Sequence, residues 1–169
     1  MVPHIYVGRN GVDVVNPENR SDFRTVRGYQ MENALENKFT AAMEDYLEMV
    51  FRLCKEDGYT RVGRLADQLQ VNPSSASKMV SKLTQMGYLR LDRNDSILLT
   101  DQGMSTGQYL LMRHDTVERF LSFLKVSSPL REAEMLEHAI EPETTKKLQN
   151  LLEFLSEYEA LYESWLLER

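Results

Sequence analysis

The stretch from Thr60 to Leu99 restricts this chain more than any other. Val62, Leu65, Ala66 and Leu69 recur at helical spacing behind Thr60, which reads as a helix cap. The run breaks at Val71-Asn72-Pro73, and proline suits the first turn of a new helix, where its missing N–H is not needed. Ala76, Met79, Val80 and Leu83 then share one face from Ser74 to Met86, and Gly87 closes that helix. Tyr88-Leu89-Arg90-Leu91 and Ile97-Leu98-Leu99 read as two short strands around residues 92–96. Upstream, Thr40 precedes Ala42, Tyr46, Leu47, Val50, Phe51 and Leu53 at helical spacing, ended by Asp57-Gly58. Helix, helix, turn, helix, hairpin is the order of a winged helix-turn-helix.

The rest of the chain reads as helical. Thr100-Asp101 opens a long helix to about Leu124, and Ser128-Pro129 begins another to about Ile140, ended by Pro142. From Glu143 onward, Leu148, Leu151, Leu155, Tyr158, Tyr162 and Trp165 recur at steps of three and four. Such a seam packs against a helix of the same chain or of a second subunit, and spacing alone leaves both open. Residues 1–39 read as an arm, with Asn10-Gly11 between short apolar runs and a helix from Ser21 to Asn37. The expected architecture is mainly α: the arm at 1–39, a winged helix-turn-helix at 40–112, and an all-helical domain at 113–169.

Charge narrows the function. The chain carries a net charge of −6 over 169 residues, which argues against indiscriminate coating of nucleic acid. Yet residues 61–93 hold Arg61, Arg64, Lys78, Lys82, Arg90 and Arg93 against only Asp67 and Asp92. A local basic face between acidic flanks fits DNA. Ser74, Ser75, Ser77, Lys78, Ser81 and Lys82 face away from the apolar stripe of their helix, where small hydroxyls allow close approach and lysines reach phosphates or guanine edges. Arg90 and Arg93 on the hairpin are placed for neighbouring phosphates or the minor groove. No apolar run approaches the ~18 residues of a membrane span. The opening MVPHIYVGRNG has no secretory pattern, and the single cysteine, Cys54, lies among Val50, Phe51 and Leu53. A cytoplasmic protein with Cys54 as a core residue is expected.

A second constellation is acidic. Asp45 and Glu48 stand three residues apart on one helix face, and Glu134, Glu137 and His138 at i, i+3 and i+4 on another. His114 lies four residues before Glu118. Solvated charge is the ordinary explanation for each group, although two of three histidines falling beside such pairs weakens it. Enzyme chemistry fails on spacing. There is no His-Glu-x-x-His, and the residues three before His114 and His138 are Leu111 and Met135 rather than Glu. No glycine-rich phosphate loop is present.

From about Thr40 to about Tyr158 the chain resembles the diphtheria toxin repressor (DtxR) family of metal-dependent transcriptional repressors, and within it the manganese-sensing MntR branch. The resemblance is carried by Met43-Glu44-Asp45-Tyr46-Leu47-Glu48, Val71-Asn72-Pro73-Ser74-Ser75-Ala76-Ser77-Lys78-Met79-Val80, Leu98-Leu99-Thr100, Arg113-His114 and Glu134-Met135-Leu136-Glu137-His138. It implies that the helical domain binds metal and forms a homodimer, with Asp45, Glu48, His114, Glu134, Glu137 and His138 as ligands. Iron-sensing relatives have Met where this chain has Asp45 and Cys where it has Glu134. Four carboxylates and two imidazoles form a hard, oxygen-rich set suited to Mn²⁺. The resemblance further implies one or two Mn²⁺ per subunit, with Fe²⁺ or Zn²⁺ as alternatives, and an operator of double-stranded DNA controlling metal uptake. It departs at the hairpin tip, where Asn94-Asp95-Ser96 replaces a basic, glycine-containing tip. Two rival readings remain at this level: a winged-helix regulator of another signal, and a metal-storage protein that keeps the helix-turn-helix only as fold.

Overall fold

The computed structural model describes residues 39–158 together with Tyr162 and Ser164. The expected arm of residues 1–39, with its Ser21–Asn37 helix, lies outside them except for Phe39, and so does Trp165. The described elements belong to one compact unit, Thr40–Arg169.

Helix α1, Ala41–Asp57, buries Tyr46, Leu47, Val50, Phe51 and Leu53 as its periodicity foretold, together with Met43 and Cys54, whereas Ala42 is exposed. Gly58 ends it at φ 79°, donating its N–H to the Cys54 carbonyl at 2.7 Å. Helix α2 spans Val62–Leu69 and α3 spans Pro73–Gln85, with Pro73 at the first position and Ala76, Val80 and Leu83 buried. Thr60 is not the cap of α2. Arg61 holds that position, and the Thr60 backbone exchanges hydrogen bonds with Ile97, extending the hairpin by one bridge. Thr60 resembles a cap in sequence because threonine serves caps and strands alike.

Strands β1, Leu89–Leu91, and β2, Ile97–Leu99, pair antiparallel with Leu89 opposite Leu99 and Leu91 opposite Ile97. Asp92 Oδ1 accepts from the Asn94 and Ser96 amides at 2.8 Å each, and Asp95 sits at φ 56°. The hairpin tip is therefore organised by a carboxylate rather than by glycine.

Helix α4, Asp101–Phe123, starts at Thr100, whose Oγ1 accepts from the Gly103 amide at 3.0 Å. It crosses α1 closely at Gly107, where a Cβ would stand 2.6 Å from Phe51 Cβ. This crossing sets α1 against α4. Helix α5, Pro129–Leu136, is shorter than expected. Glu137–Ala139 form a 3₁₀ turn instead of continuing it, and Pro142 opens α6, Pro142–Ser156. Val117, Leu121 and Ala133 are buried together, with Val126 and Ile140 against them, so α5 and the turn are anchored on α4.

The C-terminal seam divides. The buried residues of α6, Thr145 and Leu152, lie outside the expected stripe, Leu148 and Leu155 are half-buried, and the Tyr162 ring stacks on Phe123 with centroids 4.6 Å apart. Leu151, Phe154 and Tyr158 stay exposed. No helix among the described residues is long and apolar enough to cross a membrane.

Candidate functional site

The two anchoring contacts just described bring three elements to one place: the first turns of α1, the middle of α4, and the 3₁₀ turn. Asp45 and Glu48 come from α1, His114 from α4, Glu137 and His138 from the turn. The burial is unusual for such residues. Glu137 is 2 % exposed and His114 4 %. Acidic side chains are rarely this buried without a partner, so solvated surface charge does not explain them.

Two groups of three have ligand atoms all within 4.8 Å of one another: Asp45, Glu137 and His138, and Glu48, His114 and Glu137. Glu137 belongs to both. Its Oε2 lies 2.7 Å from His114 Nδ1, and its Oε1 lies 3.8 Å from His138 Nε2. One carboxylate thus turns an oxygen toward each imidazole. His138 Nε2 is also 3.0 Å from Asp45 Oδ1. Glu134, expected on the same helix face as Glu137 and His138, occupies the rim. Its side chain is more than half exposed and its Oε1 stands 3.7 Å from His114 Nδ1. The change from α-helix to 3₁₀ turn after Leu136 separates Glu134 from the two residues that follow. A third group, His114, Asp115 and Glu118, lies along α4.

Proton affinities follow from this crowding. A hydrogen bond to Asp45, then one to Glu44, pushes His138 up to about 10 against the opposing effect of burial. His114 is raised as well, chiefly by its hydrogen bond to Glu137. Burial raises Glu48, with Glu137 adding to it, although Arg52 at 2.7 Å opposes the shift. At neutral pH the His138 imidazole carries the extra proton and stands as a cation among the carboxylates. A divalent cation could take over that role by displacing the proton.

Two residues of this centre escaped the sequence reading. Glu44, beside Asp45 on α1, places Oε2 2.7 Å from His138 Nδ1 and 2.7 Å from Arg113 Nη2. Burial raises the Glu44 carboxyl, but those two bonds outweigh it and hold the group below the usual range. Arg113 is itself 4 % exposed. Nothing in helical spacing marks either residue, because each gains its meaning from an element far away in sequence. The signal available was their presence inside the motifs Met43–Glu48 and Arg113-His114.

The nucleic-acid candidates occupy a different surface. Ser74, Ser75, Ser77, Lys78, Ser81 and Lys82 are all exposed on α3, and Arg90 and Arg93 are exposed on the hairpin. Their opposite face, Ala76, Val80 and Leu83, is the one packed inward. Cys54 is buried and donates to the Ile97 carbonyl at 3.7 Å, and burial pushes its thiol up to about 11. It is a packing residue.

Comparison with known proteins converges on this division. Residues 38–95 match the iron dependent repressor N-terminal DNA binding domain, and residues 100–160 match the iron dependent repressor metal binding and dimerisation domain. Over 127 residues the chain is 36 % identical to the HTH-type transcriptional regulator MntR of Geobacillus kaustophilus (strain HTA426), spanning 74 % of this chain and 90 % of that protein. A regulator of the same description from Listeria welshimeri serovar 6b is 36 % identical over 121 residues, 70 % of this chain and 85 % of that one. Among solved structures, the manganese regulator SloR superposes with a TM-score of 0.59 at 28 % identity, over 66 % of this chain and 54 % of that one. ScaR with bound Zn²⁺ superposes with a TM-score of 0.56 at 29 % identity, over the same shares. The chain therefore spans about half the length of these solved relatives.

Proposed function

The chain belongs to the iron dependent repressor family, the DtxR and MntR group of DNA-binding transcriptional regulators, and on that premise we propose that it represses metal-uptake genes in response to Mn²⁺. The observation that carries the metal half of this reading is Glu137, buried and shared between two donor groups drawn from both domains. Asp45, Glu48, Glu137, His114 and His138 would hold the ion or ions, with Glu134 joining from the rim. Oxygen donors outnumber nitrogen and no thiolate is present, which supports Mn²⁺ over a softer ion. Zn²⁺ binds such sites more tightly, so discrimination rests on geometry and on the number of ions held, one or two.

A bound divalent cation would supply the positive charge these carboxylates otherwise take from the imidazole side. Asp45 and Glu48 belong to the DNA-binding domain, Glu137 and His138 to the dimerisation domain. Drawn to one charge, they restrict how far the two domains can turn against each other. Across a two-fold homodimer, that restriction holds two α3 helices near one turn of duplex apart, about 34–36 Å. Ser74, Ser75, Ser77 and Ser81 then approach base edges while Lys78, Lys82, Arg90 and Arg93 engage phosphates. Asp95 at the hairpin tip repels phosphate, so α3 carries more of the affinity than the wing. Leu151, Phe154 and Tyr158 form the exposed apolar part of the subunit contact. The working place of such a repressor is the cytoplasm. The test is affinity for a duplex selected from random-sequence DNA in Mn²⁺, measured with Mn²⁺, Fe²⁺, Zn²⁺ and chelator. Retention that ignores the chelator would make this a regulator of another signal.

A further inference from the structure

Glu44 touches no metal-facing atom, yet it makes the contact that decides which nitrogen of His138 is available. A carboxylate oxygen can only accept a hydrogen bond. At 2.7 Å from Glu44 Oε2, His138 Nδ1 must therefore carry a proton. The other nitrogen, Nε2, faces Asp45 Oδ1 at 3.0 Å and Glu137 Oε1 at 3.8 Å. In the metal-free chain it donates to Asp45 by the same rule, and its proton is the one a cation held by Asp45 and Glu137 would displace. Arg113 fixes the geometry. Its Nη2 donates to the same Glu44 oxygen at 2.7 Å, its guanidinium lies over the Tyr109 ring at 5.9 Å, and its Nε has no hydrogen-bond partner among the described residues. Glu44 is thus the anion this buried arginine depends on. Arg113 Nη2 also lies 3.3 Å from His138 Nδ1. Without Glu44 it could donate there, which would strip Nδ1 of its proton and reverse the tautomer.

We infer that Glu44, clamped by Arg113, is a positioning residue: it holds the Nδ1 proton of His138 and so presents Nε2 to the metal-binding carboxylates. Outer-shell carboxylates of this kind fix the tautomer of a ligating histidine and raise its basicity. The three residues come from α1, α4 and the 3₁₀ turn, so the clamp also sets the ring's orientation between the two domains. This inference rests on the metal-centre reading.

The test uses the full chain loaded with Zn²⁺, a diamagnetic probe, and reads imidazole ¹H–¹⁵N spectra; with three histidines the signals are few enough to assign. The parent should show His138 with a metal-shifted Nε2 and a hydrogen-bonded, exchange-protected Nδ1 proton. Glu44→Gln keeps an acceptor and should retain that proton, with Zn²⁺ affinity within roughly threefold of the parent. Glu44→Met removes the acceptor and should lose the protected proton and bind Zn²⁺ about 10- to 100-fold more weakly. If Glu44→Met fails to fold around its unpaired Arg113, the double variant Glu44→Met with Arg113→Met carries the same expectation. A purely structural role would lower the thermal stability of both Glu44 variants while leaving the imidazole proton and Zn²⁺ affinity in place, and that result overturns the inference. So does a bare or metal-bound Nδ1 in the parent. If Zn²⁺ moves neither His114 nor His138 in the parent, the metal-centre reading itself has failed.

Discussion

Replacing Glu137 by Gln tests the centre at its most connected point. The exchange preserves shape and leaves an amide able to bond His114 Nδ1, so the metal-free protein should stay folded. The loss appears on metal binding. In the metal-free chain only the His114 ring is in hydrogen-bond contact with the Glu137 carboxylate, at 2.7 Å, while His138 Nε2 stands 3.8 Å away. A divalent ion would bring two positive charges against the carboxylate, so the variant forgoes roughly one charge pair at contact distance. At about 4 Å and an effective dielectric near 20 such a pair is worth about 4 kcal/mol, and partial exposure of the neighbouring Asp45 reduces it to about 3. Each 1.4 kcal/mol is tenfold, so Mn²⁺ affinity should fall on the order of 10²-fold or more. Because Glu137 serves both donor groups, the loss should apply to every ion bound. Glu134→Gln, at the rim beside His114 alone, should cost less. Competition against a fluorescent chelator measures the affinities, and a circular dichroism melt of the metal-free variant confirms its fold. A Glu137→Gln protein that folds and binds Mn²⁺ within about fivefold of the parent would refute the shared-carboxylate argument.

Three further outcomes follow from other parts of the molecule. Lys78→Ala with Lys82→Ala should weaken operator binding and flatten the log-affinity against log-salt slope by about 1.8, at roughly 0.9 per phosphate contact, while metal affinity is unchanged. An unaltered slope would remove α3 from the interface. Gly107→Ala places a methyl 2.6 Å from Phe51 Cβ; overpacking of about 1–3 kcal/mol should exceed the helix-propensity gain of about 1 kcal/mol. Both the melting temperature and Mn²⁺ affinity should fall, since α1 and α4 carry opposing ligands; a stabilised variant with unchanged affinity would contradict the crossing described. For Cys54, a thiol raised to about 11 keeps the reactive thiolate scarce in the native protein. Iodoacetamide labelling of the folded chain should therefore go on rising tenfold per pH unit past the ordinary thiol value near 9, and denaturant should abolish that delay. Levelling near pH 9 in the native protein would show an exposed thiol.

The helical order of this chain was legible from local chemistry. Apolar residues at steps of three and four, Pro73 at a helix start and Gly58 at a helix end act within a turn or two of themselves. The elements they specify therefore occur where the sequence puts them. The outward face of α3 was legible for the same reason, because its inward stripe leaves the serines and lysines no other side. The candidate ligands were readable as pairs on single helices, and family resemblance joined them into one set. Only the tertiary structure decided how they are shared. The close approach of α1 and α4 at Gly107, and the anchoring of α5 on Val117 and Leu121, bring together residues up to 94 positions apart. That arrangement places Glu137 between two donor groups, leaves Glu134 at the rim, and turns Glu44 and Arg113 from ordinary helix charges into a clamp on His138. Thr60 and the Glu137–Ala139 turn differ from their local reading for one reason. A strand partner at Ile97 and packing against α4 outweigh the small free energies by which cap and helix propensities act.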